Sequence, residues 1–179
     1  MVGFGGKQAW LAVRDGDPGA VLAALELRDL GEVRWRDGID LAHLTDDRIA
    51  VTPPVRGWVL AAGRQLLRST PDLPGLSAEL GTEVQFFATH RVTETHRWQR
   101  AADGVLLRSF GYVGQTGEIT SWFGDPDPAE GLPPTLDEDT TVLIGEKDVL
   151  RVAAAWSIDP TTLGGRAAPG PIRMGAVRA

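Results

Sequence analysis

Residues 83–113, EVQFFATHRVTETHRWQRAADGVLLRSFGYV, constrain the fold more than any other stretch of the chain. The pattern predicts two long extended segments joined at Asp103-Gly104, a dipeptide suited to the positive backbone angles of a tight hairpin turn. Strand alternation along the first segment places His90, Val92, Glu94, His96 and Trp98 on one face, with Thr89, Arg91, Thr93, Thr95 and Arg97 on the other. A strand that only floors a core would have one clean apolar face. Polar groups on both sides predict that a partner, a ligand or a hydrogen-bond network meets this ribbon.

Around it the local signals are mixed. Gln8 to Arg14 reads as a first strand, and Asp17-Pro18 supplies an N-cap and a first helical position for a helix running to about Leu27. Between Gly31 and Gly63 three extended runs are predicted, VRWRDGIDLAHL, RIAVTPP and GWVLAAG, with a bend or sheet edge at Pro53-Pro54. PGLSAELG reads as a short helix closed by Gly81. GQTGEITSWFG reads as a further strand, followed by an exposed, proline-rich acidic loop, DPDPAEGLPPTLDEDTT. The spacing of Val149, Val152, Ala153 and Trp156 predicts the strongest helix of the chain, ended by Asp159-Pro160. Many hairpins and few βαβ units predict an α+β fold, a mainly antiparallel sheet with about three helices packed on one face. The expected organisation is a flexible segment at 1–6, a single α+β domain over 7–163 and a flexible cationic tail at 164–179.

Three constellations could carry chemistry. The first is His90, Glu94 and His96 as acid/base groups, because a histidine with a carboxylate neighbour can move protons near neutral pH. Only Glu94 and His96 lie near enough along an extended strand to touch, and polar residues on a partly solvated strand are the simpler account. As metal ligands the trio is weaker, since three groups on one strand rarely converge; no metal and no cofactor is expected. The second is the acidic loop, with Asp125, Asp127 and Glu130 and then Asp137, Glu138 and Asp139, which lacks the order of a calcium loop and could attract a basic partner. The third is a set of six tryptophans, of which Trp58 and Trp98 are the candidates for a pocket, with Arg91 and Arg97 beside them as possible ligand or partner contacts.

A net charge of −6 would repel a phosphate backbone, so nucleic acid is not an expected partner. The absence of cysteine excludes disulfides and thiolate chemistry. The N-terminal residues lack a secretory pattern and no apolar run is long enough to span a bilayer, which predicts a cytoplasmic protein without membrane contact. GFGGK lacks the spacing of a phosphate loop.

The segments TPPVRGW, EVQFFATHRVTETHRWQR, GYVGQTGE and VAAAWSIDP resemble those of a set of uncharacterised bacterial proteins, across most of residues 49–160. The resemblance implies a bacterial source and a continuous domain, and it carries no activity or site residue. The expected function is that of a small acidic protein-interaction domain of the immunity or inhibitor kind. The alternative is a cofactor-independent isomerase or cyclase using His90, Glu94 and His96 on a small molecule. An enclosed cavity reached by either histidine would favour the second, and a flat or convex sheet face the first.

Overall fold

The computed structural model describes residues 1–136 and 141–178. The chain begins with β1 (Ala9–Arg14) and α1 (Pro18–Ala24), where the Asp17 carboxylate accepts the Ala20 N–H at 2.8 Å as expected of an N-cap. β2 (Arg28–Val33) and α2 (Trp35–Leu44) follow. The segment predicted as a strand, VRWRDGIDLAHL, is thus largely helical. Trp35, Gly38, Ile39 and Ala42 are its buried residues, at helical spacing, and Asp37-Gly38 lies inside the helix rather than at a turn.

β3 (Arg48–Val51) and β4 (Trp58–Ala62) lie on either side of Pro53-Pro54, at the expected break. α3 (Gln65–Arg68) precedes α4 (Leu73–Leu80), which Asp72 caps at its start and Gly81 closes in the left-handed region at φ 62°. Then come β5 (Val84–His90), β6 (Thr95–Ala102), β7 (Val105–Val113) and β8 (Glu118–Phe123). Asp103 and Gly104 turn between β6 and β7 with φ of 50° and 77°, as the dipeptide predicts. α5 (Glu146–Trp156) and β9 (Ile172–Ala176) complete the elements.

The nine strands of the described residues form one sheet in the order β2-β9-β3-β4-β1-β5-β6-β7-β8, and every paired neighbour is antiparallel. The fold is α+β with a mainly antiparallel sheet, as expected, but the described residues form five helices on two faces instead of about three on one. Trp10, Leu60, Phe87 and Trp98 pack with α2 and α5 on one side. Leu11, Val59, Phe86 and Ala101 pack with α1, α3 and α4 on the other. The central strands show the reason: β4 is buried at every residue and β1 at all but Arg14. A strand apolar on both alternations has to be covered twice.

Two expectations about the ends are corrected. Residues 164–179 were predicted to form a flexible tail, yet β9 lies inside the sheet between β2 and β3, with Ile172, Met174 and Ala176 buried. Its short alternation IRMGA was obscured by the flanking Gly and Pro, and its arginines have local uses, Arg173 pairing with Asp29 at 2.7 Å. Residues 1–6 are likewise tied down: Phe4 is buried and donates its N–H to the Pro160 carbonyl at 3.2 Å. Among the described residues no helix is long and apolar enough to cross a membrane.

Candidate functional site

The expected shared face of His90, Glu94, His96 and Trp98 does not form. β5 ends at His90, the chain reverses through residues 91–94, and β6 starts at Thr95, so that His90 pairs with Thr95 and Thr89 with His96. Cross-strand partners point the same way, and adjacent residues point opposite ways. His90 therefore faces the α3 side of the sheet and His96 the α5 side. Glu94, at φ 47°, takes the left-handed position that closes the turn. Each histidine borders its own cleft, and only Glu94 and His96 share one.

The cleft on the α3 side has a volume of about 510 Å³. Its floor is Ala88 of β5, whose small side chain leaves open the space beside its cross-strand partner Arg97. The end of α2 contributes His43 and Leu44; α3 and the residue before it contribute Arg64, Leu67 and Arg68; Lys7 enters from just before β1. His90, Thr93 and Thr95 complete the wall. Among the described residues no acidic side chain lines it.

Hydrogen bonding decides what this wall can offer. Gln8 Oε1 accepts the Gly5 N–H at 2.8 Å, so its Nε2 donates to His43 Nδ1 at 3.0 Å. His90 Nδ1 accepts the Thr93 N–H at 3.3 Å and lies 3.0 Å from the Thr93 hydroxyl. With Nδ1 accepting in each ring, the proton of the neutral imidazole sits on Nε2, and both histidines are left with an N–H to donate. Arg97 donates to Thr70 Oγ1 at 2.6 Å and lies 5.6 Å above the Phe86 ring. Its Nε is buried and has no protein partner among the described residues. Burial holds the Arg97 guanidinium below its ordinary pKa. Asp46 bridges Arg64 at 3.4 Å and Arg68 at 2.8 Å.

On the opposite face a second cleft, of about 500 Å³, is lined by Arg91, Glu94, His96, Tyr112 and Glu146. Arg91 and Glu146 are engaged with each other. Arg91 Nε and Nη2 both donate to Glu146, at 3.1 and 2.5 Å from Oε1, and Lys7 adds its backbone N–H at 3.2 Å. Burial acts against the Glu146 carboxylate, but these bonds outweigh it and hold the pKa below the usual range. His96 is buried, with Nδ1 3.1 Å from Thr89 Oγ1. Burial lowers its pKa against the pull of Glu146, Asp148 and Glu94.

A pH dependence follows. Below the ordinary 6.5 the unfolded chain protonates this histidine before the native state does, so the stability contributed by a neutral His96 is present above that pH and lost on acidification. Glu146 acts in the same direction at lower pH, its contribution present above 4.5 and lost as pH falls. The urea midpoint should therefore drop between about pH 7 and about pH 5.5, and His96→Gln should flatten that part of the profile. An unchanged slope in the variant would remove His96 as its source.

The remaining candidates divide by role. Trp98 is fully buried and stacks on Phe110 at 4.4 Å, and Trp58 is buried at the far end of the sheet with Arg14 5.4 Å from its ring. Both are core residues, and neither lines either of the two clefts described above. Asp127 turns inward, accepting the Ala129 N–H at 2.8 Å to start the 3₁₀ turn Pro128–Glu130. Glu130 is fully buried and receives Arg108 through Nε at 3.0 Å and Nη2 at 2.7 Å. Asp125 stays exposed, and Asp137, Glu138 and Asp139 lie outside the described residues. No group of three potential metal ligands occurs among the described residues.

Fold and site together define an antiparallel α+β sandwich with a donor-lined cationic cleft at one end of its sheet. No family model, curated protein or solved structure matches the chain. Lys7, His43, Arg64 and Arg68 had no signal in the sequence that linked them to His90 and Arg97. They come from separate elements, and only the tertiary structure brings them to one cleft.

Proposed function

We propose that this protein binds a small anionic molecule in the cleft between α3 and the β5–β6 hairpin. The observation that carries the proposal is Arg97, a half-buried guanidinium that lines the cleft and makes no ion pair among the described residues. A cation removed from water without a paired anion is costly, and an anionic ligand supplies the missing charge. The rest of the wall agrees in kind: Lys7, Arg64, Arg68 and the two imidazole N–H groups are all donors. The arrangement is local, so a chain of net charge −6 can still concentrate anions there.

A concave site reached by His90 favours a small molecule over the partner-protein role expected of an immunity-like domain. The acidic groups that motivated a basic partner are partly spent inside the protein, Asp127 as a cap and Glu130 on Arg108. A catalytic role for His90, Glu94 and His96 as one unit draws no support from side chains on opposite faces.

Titration of the labelled protein with pyrophosphate at low salt, followed by amide NMR shifts, tests the proposal. Saturable shifts are expected at residues 64–68 and 88–97. Arg97→Met, which keeps the aliphatic stem, should weaken binding by about 10–100-fold, as the loss of charged hydrogen bonds predicts. Shifts spread over the surface without saturation, or an unaffected variant, would refute it.

A further inference from the structure

We infer that the anion is a small organic phosphate with an aliphatic body, its phosphoryl group among Arg97, Arg64 and the two imidazoles and its body along Leu44 and Leu67. The inference rests on the anion-binding reading above and adds the ligand class.

Charge is the first reason. Four permanent cations, Lys7, Arg64, Arg68 and Arg97, line the cleft, and Asp46 is the one carboxylate paired with any of them among the described residues. A monocarboxylate would leave most of that charge unmatched, whereas a phosphate monoester carries about −1.5 to −2 at neutral pH. Geometry is the second. The donors come from α2, from α3 and the residue before it, from just before β1, and from β5 and β6, so they line the cleft from several sides. A tetrahedral oxyanion has three terminal oxygens to meet them, while a carboxylate presents two in a plane.

The apolar part of the wall is the third reason. Leu44 ends α2 at the rim with 71% of its surface exposed, and Leu67 and Ala88 continue the same surface inward. A volume of about 510 Å³ lies in the range of sites for whole organic ligands, well beyond a bare phosphate ion. Among the described residues the lining holds no phenyl or indole ring, which fits an aliphatic body better than a stacked base.

Calorimetric titration of the full chain with n-butyl phosphate, inorganic phosphate and butylmalonate, at one low ionic strength, separates these terms. n-Butyl phosphate is expected to bind about tenfold or more tightly than either of the others. Leu44→Ser, an exposed change that leaves the core intact, should remove most of its advantage over inorganic phosphate. Butylmalonate binding as tightly as n-butyl phosphate would overturn the phosphate assignment and leave the anion cleft standing. Inorganic phosphate binding equally well would overturn the aliphatic part. No binding of any of the three would overturn both readings. Sedimentation with phosphatidate-containing vesicles distinguishes a soluble ester from a lipid headgroup: the protein should stay in the supernatant, and pelleting with the vesicles would overturn the soluble assignment.

Discussion

A chain ended at Gly170 is expected to lose cooperative folding altogether. The deletion removes β9 from between β2 and β3, and with it the buried side chains of Ile172, Met174 and Ala176. Burial of each of the two larger ones is worth about 1.5–3 kcal/mol. The ladder bonds of both neighbouring strands go as well, and their freed edges would stand open. Ile172 and Met174 also face α2, whose Gly38 sits so close to Ile172 that an added Cβ would lie 2.5 Å from it. Against a total stability of about 5–15 kcal/mol for a domain, the loss is decisive. Amide NMR dispersion and thermal melts followed by circular dichroism would show it, and a cooperative melt within a few degrees of the full chain would contradict the placement of β9.

The second large effect concerns the acidic loop. Glu130→Ala is expected to cost about 3–5 kcal/mol, because it strands a buried guanidinium. Arg108 is 4% exposed and Glu130 fully buried, and the pair has little solvent to fall back on. Arg108 also donates to the Phe123 and Gly124 carbonyls at 2.9 and 3.1 Å and lies 4.6 Å from the Trp122 ring centre. The loss should therefore reach the β7–β8 edge and alter Trp122 fluorescence. Replacing both partners, with Arg108→Met and Glu130→Leu, should recover much of the stability, since no lone charge remains. Urea unfolding of the two variants distinguishes the cases. A single variant as stable as the parent would mean that the pair is not buried as described.

Legibility in the sequence followed the range of the signal. Asp103-Gly104, the Asp17 cap, Gly81 and the apolar stripe of α5 were readable because each feature is decided within a few residues. α2 was missed because Asp37-Gly38 resembles a turn until Trp35, Gly38, Ile39 and Ala42 are seen to face one core. The reversal at residues 91–94 was missed for the opposite reason: RVTE holds no glycine or proline, and Glu94 adopts the left-handed angle without them. That one turn moved His90 and His96 to opposite sides, since strand parity carries every downstream residue with it.

From the sequence alone came the fold class, the places where most strands and helices begin and end, and the residues able to donate, accept or carry charge. These depend on backbone preference and side-chain chemistry, which act over short distances along the chain. Only the tertiary structure decided that β9 completes the sheet, that Glu130 is used inside the protein, and that six donors from distant segments surround one cleft. Those outcomes depend on which surfaces exclude water together, and that is settled by contacts between residues far apart in sequence.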